Sequence, residues 1–114
     1  AVATTGGNLK AKFVIHTVGP VWRGGTKGEP ETLASAYRES LKVAAGLKLR
    51  NVSFPAISTG AYGYPIDDAA RLAVATVIDF LKTYPGSIEE VVFVLFDRMS
   101  YEAYQDAIKE LNAI

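Results

Sequence analysis

Three short apolar runs, KFVIHTV (Lys12–Val18), NVSFPAI (Asn51–Ile57) and EVVFVLF (Glu90–Phe96), alternate with stretches whose apolar residues recur at helical spacing. β-branched and aromatic runs bounded by Gly or Pro fit strands, and an i, i+3, i+4 stripe fits one face of a helix. The first stripe holds Leu33, Tyr37, Leu41 and Ala44 and predicts a helix from about Glu31 to Leu47, with Pro30 suited to its first turn. The second holds Ala70, Ala73, Val74, Val77, Ile78 and Leu81, with Asp67 or Asp68 as its cap and Pro85-Gly86 as its stop. In the third, Tyr101, Tyr104, Ile108 and Leu111 share a face, and Ser100 or Asp97 precedes them as a cap. The unbroken EVVFVLF run predicts a strand covered on both faces. Alternation of this kind implies an α/β sandwich with largely parallel strands. AVAT at the start reads as one more strand, joined through Gly6-Gly7-Asn8.

Length and charge narrow the choice. The chain has 114 residues, enough for one domain spanning 1–114. Hydrophobic residues make up 49%, which excludes general disorder. No apolar run is long enough to cross a membrane as a helix. Twelve Lys and Arg balance 12 Asp and Glu. A protein that grips a long polyanion carries a basic excess, so there is no strong nucleic-acid signal and any bound anion is small and held by geometry. Cysteine is absent, and one histidine with scattered carboxylates gives no metal constellation. No cofactor and no membrane partner are expected, and a reducing, cytoplasmic address is.

The stretch FPAISTGAYGYP (Phe54–Pro65) joins a strand end to a helix start. Ligands of open α/β sheets sit beyond the carboxyl ends of strands. Gly60 and Gly63 allow positive φ and close backbone approach, Ser58 and Thr59 add hydroxyls, and the N–H groups around Gly60-Ala61-Tyr62 suit a phosphate. A tight turn with Tyr62 and Tyr64 as packing residues explains the same glycines, and spacing alone leaves the two readings level. The stretch is neither a P-loop nor a nucleophile elbow. His16 reads as a hydrogen-bonded structural residue rather than a partner of Ser58. Asp97 reads as a cap rather than a ligand contact, and Trp22 as a cover on the core edge.

LKAKFVIHTVGPVW, VSFPAISTGAYGYP and VVFVLFD occur in that order. Together they resemble the C-terminal two-thirds of a macrodomain, the ADP-ribose-binding module. The resemblance implies a three-layer α/β/α sandwich with a mixed, largely parallel sheet. It implies that Ser58, Thr59, Gly60, Ala61, Tyr62 and Gly63 wrap a diphosphate, with Tyr62 also beside the distal ribose, and that Phe96 stacks on adenine. The partner it implies is ADP-ribose or an ADP-ribosylated protein. A hydrolase of ADP-ribosyl groups or of O-acetyl-ADP-ribose is the second function, and a folded fragment without ligand the third. The family's first phosphate loop, its adenine-reading Asp and its Asn-containing strand end belong to a segment before the part seen here. TTGGN (Thr4–Asn8) does not replace that loop, because it precedes the wrong strand. The resemblance therefore also implies an unpaired sheet edge, met by self-association, by a complementing N-terminal fragment or by a rearranged sheet.

Overall fold

The computed structural model describes residues 1–7, 11–84 and 86–112. Its elements follow in the order β1 (Val2–Thr5), β2 (Phe13–His16), α1 (Glu29–Gly46), β3 (Asn51–Phe54), a short 3-10 turn (Gly60–Tyr62), α2 (Ile66–Thr83), β4 (Glu90–Phe93) and α3 (Arg98–Asn112). The α/β class expected from the alternation is the class observed. The pairing differs in detail. Among the described residues the strands form two ladders, one antiparallel between β1 and β2 and one parallel between β3 and β4. The first is antiparallel because the link from Thr5 to Phe13 is too short for a crossover, which needs a dozen or more residues. Gly6 closes that link by donating its N–H to the Lys12 carbonyl at 2.9 Å. Asn8, proposed for the same link, lies outside the described residues, as does Pro85 after α2.

The parallel register sets Val52 against Val91 and Phe54 against Phe93. These four turn toward the helices, and the alternate residues Asn51, Ser53, Glu90 and Val92 are exposed. The run EVVFVLF is thus covered on one face, not two, and its strand ends at Phe93, three residues short of Phe96. Helix α2 is central: it packs on α1 and on α3, and α1 reaches back to β1 and β2. Ala69, Ala70 and Ala73 of α2 and Ala103 and Ala107 of α3 are buried. Small residues on both helices let their axes approach, so the seam is built from Ala with Tyr104 between. That rotates α3 away from the expected face and leaves Tyr101 and Ile108 exposed. Similarly, Phe80 rather than Leu81 turns inward from α2.

The cap of α2 differs from expectation for a simple reason of position, and the expected cap of α3 is observed. Pro65 is the cap residue of α2 and makes no side-chain cap bond, and Asp67 and Asp68 lie inside the first turn, where their charge favours the helix dipole. At α3 the carboxylate of Asp97 accepts from the Ser100 N–H at 2.7 Å and from its hydroxyl at 3.1 Å. Asp97 is the cap, and Ser100 is the residue it holds.

The core is an aromatic cluster around one buried phenol. Tyr37 lies edge-on to Phe54 and Phe93 at 5.0 and 6.1 Å, and Phe93 lies 5.0 Å from Tyr104. The Tyr37 hydroxyl accepts from the Ile57 N–H at 3.3 Å and shares a hydrogen bond with the Tyr104 hydroxyl at 3.4 Å. Burial raises the pKa of both phenols, so both stay neutral. Tyr37→Phe keeps the rings and removes the acceptor, leaving two groups unpaired. We expect a loss of about 1–3 kcal/mol in urea unfolding, the cost of unsatisfied buried polar groups. A change below about 0.5 kcal/mol would mean that water or a shifted backbone replaces the bond.

Candidate functional site

Strand β3 delivers the chain into residues 55–65 at its carboxyl end. The parallel ladder delivers residues 94–97 to the same end from β4, and the Val94 N–H donating to the Phe54 carbonyl at 2.8 Å ties the two exits together. The two groups of proposed contact residues, Ser58–Gly63 and Phe96, therefore leave neighbouring strands at one edge of the molecule. Phe96 is 89% exposed. An aromatic ring so far from cover has no packing role in the core.

Within the loop, backbone geometry is unusual. Ser58, Gly60 and Gly63 have φ of 67°, 70° and 74°. Left-handed backbone is costless for glycine and strained for serine, by about 1 kcal/mol or more. The loop holds its shape through internal bonds. The Tyr64 N–H donates to the Ser58 carbonyl at 3.0 Å, the Gly63 N–H to Gly60 at 3.0 Å, and the Thr59 hydroxyl to Ala56 at 3.1 Å. Because Gly60–Tyr62 is the first turn of a 3-10 helix, its opening N–H groups have no earlier turn to bond. A Cβ built on Gly60 meets no atom within 4 Å. Glycine is thus required there by φ, and the space beside it is open.

Ser58 is 8% exposed, and its hydroxyl has no hydrogen-bond partner among the described residues. The reason it is buried is Gly19, where the chain leaving β2 passes the loop. A Cβ on Gly19 would meet the Ser58 hydroxyl and the Ile57 methyl at 2.2 and 2.5 Å. Ser58 does not pair with His16. The His16 ring bonds the Thr4 hydroxyl at 2.8 Å on the exposed side of the first ladder, as a structural histidine would. Trp22 covers the loop: its ring lies 4.6 Å from that of Tyr64, and its backbone N–H donates to the Tyr62 carbonyl at 2.8 Å.

Glu29 was not among the expected functional residues. It is 2% exposed, and its carboxylate accepts from the N–H groups of Arg23, Gly25 and Lys27 at 2.8, 2.9 and 2.6 Å. Burial alone would raise its pKa. The backbone donors of Arg23, Gly25, Glu29 itself and Lys27 outweigh that and lower it to about 2. Its fixed charge shapes the turn after Trp22 and so sets where Trp22 meets Tyr62. The signal in the sequence was an acid in the last position of a Gly-rich loop, directly before the helix-opening Pro30. Among the described residues no three His, Asp or Glu side chains converge on a metal position.

Fold and site together define an α/β domain with a strained, glycine-bearing loop at the carboxyl ends of two parallel strands. A family model described as Macro domain matches residues 1–73. A macro domain-containing protein of Caldanaerobacter subterraneus subsp. tengcongensis is 54% identical over 98% of this chain and 63% of its own length. An O-acetyl-ADP-ribose deacetylase of Klebsiella pneumoniae is 52% identical over 92% of this chain and 59% of its own. Among solved structures, an Oceanobacillus iheyensis macrodomain with ADP superimposes with TM-score 0.92 and 42% identity over 98% of this chain and 58% of that one. A Trypanosoma brucei macrodomain in complex with ADP-ribose gives 0.83 and 36%, over 93% and 44%. The chain belongs to the macro domain family. It spans about three-fifths of the length of the curated relatives that it matches.

A folded-state pKa near 2 against an ordinary value of 4.5 gives a signed prediction. The stabilisation from Glu29 is complete above about pH 4.5 and is lost as pH falls toward about 2. Glu29→Gln should be less stable than the parent at neutral pH, and the gap should close between pH 4.5 and 2. Thermal melts of both proteins across that range check it. A gap that is constant with pH would mean that the carboxylate charge does not shape this turn.

Proposed function

We propose that this chain binds ADP-ribose, free or carried on a protein, with the diphosphate against Ser58, Thr59, Gly60, Ala61, Tyr62 and Gly63. The observation that carries the reading is the loop backbone. Three left-handed residues fall in a span of six, the kind of backbone from which N–H cradles are built, and a side chain at Gly60 would meet no atom within 4 Å. Such concave arrangements of N–H groups bind anions without any cationic side chain, which suits a chain of zero net charge. The strain at Ser58 and its unpartnered hydroxyl support the same reading, since residues in sparse φ/ψ regions cluster at ligand sites. Phe96 is the adenine platform: a bare ring at the end of the neighbouring strand offers a π-face for a base. Tyr62 lies in the cradle itself and borders the distal ribose. The named ligands of the Oceanobacillus and Trypanosoma structures support this choice of nucleotide.

A second reading, removal of an acyl or ADP-ribosyl group from the bound ribose, is favoured by the deacetylase name of the Klebsiella relative. That protein is longer than the part matched here. The two readings part in a turnover assay with O-acetyl-ADP-ribose, run on a preparation whose ADP-ribose binding has been measured by calorimetry.

Two substitutions test the contacts. A side chain at Gly60 meets no protein atom, so Gly60→Glu should remain folded by circular dichroism while losing measurable ADP-ribose binding, through strain at positive φ and repulsion of the diphosphate. If it binds as the parent does, the loop is only a turn. Phe96→Ala should weaken ADP-ribose by about 1–3 kcal/mol, the scale of base–aromatic stacking, and leave ribose phosphate unchanged. Equal losses for ligands with and without adenine would remove Phe96 from the site.

A further inference from the structure

The turn between Trp22 and α1 is held more tightly than a surface connection requires. Gly24, Gly25 and Gly28 have φ of 90°, 87° and 76°, and so many glycines would leave an ordinary surface loop free to move. Two contacts prevent that. The Glu29 carboxylate accepts from the N–H groups of Arg23, Gly25 and Lys27 on the buried side of the turn. A Cβ on Gly25 would lie 2.8 Å from the Trp22 ring, so the turn is pressed onto the indole.

Those bonds decide what the turn can offer a partner. The N–H groups of Arg23, Gly25 and Lys27 are taken by Glu29 and are not free for an outside anion. What remains outward is side chains: Arg23, Thr26 and Lys27 are exposed. Among the described residues neither Arg23 nor Lys27 is in an ion pair; the pairs are Lys42–Glu39, Arg71–Glu110 and Arg98–Glu102. Glu29 cannot serve them, because it is 2% exposed and both of its oxygens already accept from the backbone. Glu31 stands at the other end of the turn, its carboxylate 3.9 Å from where a Cβ on Gly28 would lie, so the cationic patch is local. The turn fixes where its two side chains start, which lowers the ordering that binding has to impose.

The turn also has a defined neighbour. Arg23 follows directly on Trp22, whose backbone N–H bonds the Tyr62 carbonyl, so the turn starts beside Tyr62. In the binding mode proposed above, Tyr62 borders the distal ribose. That ribose carries the free anomeric carbon of ADP-ribose, the position from which a glycosidic link to a protein leaves. In that mode a carried protein emerges beside this turn, and its side chains nearest the link meet Arg23 and Lys27. Guanidinium and ammonium groups select carboxylates, the guanidinium bidentately.

We propose that Arg23 and Lys27 form a docking surface for the peptide chain of an ADP-ribosylated protein, and that they favour Asp and Glu close to the modified residue. The inference rests on the ADP-ribose reading and adds the sequence preference of the partner. The surface is separate from the diphosphate loop. It strengthens binding of carried ADP-ribose and leaves binding of the free nucleotide as it is.

Calorimetric titrations with three probes test it: free ADP-ribose, an ADP-ribosylated peptide with Glu on both sides of the modified residue, and the same peptide with Gln in those places. The Glu peptide should bind about threefold to tenfold tighter than the Gln peptide at low salt, the scale of two exposed ion pairs. The advantage should shrink as salt rises. Arg23→Gln with Lys27→Gln keeps the backbone bonds to Glu29, so the thermal melt and the affinity for free ADP-ribose should stay while the advantage disappears. Lys48→Gln with Lys82→Gln makes the same charge change just after α1 and in the last turn of α2, and should leave the advantage intact. Equal affinity of the parent for the two peptides overturns the proposal. So does an advantage that survives the Arg23 and Lys27 substitutions, or one that the Lys48 and Lys82 substitutions abolish equally. A parent that does not bind free ADP-ribose gives a different outcome, which removes the nucleotide reading and this surface with it.

Discussion

The hydroxyl of Tyr37 is a polar atom set in the middle of an aromatic core, and the geometry around it depends on its being satisfied. It joins α1, where Tyr37 sits, to the Ile57 N–H at the root of the candidate loop and to Tyr104 on α3. A buried phenol without partners would cost more than a lost contact, because desolvation has already removed its water. The two bonds therefore act as position markers. They fix how far β3 runs past its last paired residue before turning, and they fix the rotation of α3 that puts Tyr104, rather than Tyr101 or Ile108, inside.

A second set of bonds carries that fixed position outward to the surface. The Glu29 carboxylate gathers the N–H groups of the turn after Trp22, the Trp22 backbone N–H holds the Tyr62 carbonyl, and Gly19 lets the segment after β2 press against Ser58 and Ile57. Each contact removes freedom from a loop that would otherwise be a flexible surface connection. Preorganised backbone donors bind an anion without first ordering themselves, which is the main entropic cost of loop-based recognition. Electrostatics enter through geometry rather than through net charge. The acids Asp67 and Asp68 occupy the first turn of α2, so the helix dipole there is already answered by the protein's own carboxylates. In the proposed complex the anion is left to the 3-10 turn.

Much of this was legible in the sequence. The three strands and three helices follow from periodicity, and the loop at Ser58–Gly63 stands out because glycines follow an apolar strand at once. What was not legible has physical causes. Pairing depends on connection length and on which edges meet, so the split into two ladders is invisible to local pattern. EVVFVLF reads as buried on both faces because Val and Phe do not say which face the helices take. Leu81 against Phe80, and Tyr101 against Ala103, were settled by how closely Ala-lined helices approach. Glu29 escaped because a buried carboxylate that binds backbone N–H groups leaves no spacing rule behind. The resemblance to a macrodomain added the roles proposed for Phe96 and Tyr62, which no periodicity contains.

The central claim is that the loop backbone, not a side chain, is the anion site. Its most direct test is a titration followed by amide nitrogen–proton correlation spectra, with ADP-ribose in one series and inorganic pyrophosphate in the other. The account predicts that the Gly60, Ala61 and Tyr62 amides move with both ligands, and that residues around Phe96 move with ADP-ribose alone. If the two ligands leave those three amides in place, or shift only residues of β1 and β2, the cradle is not where the diphosphate binds and the account fails.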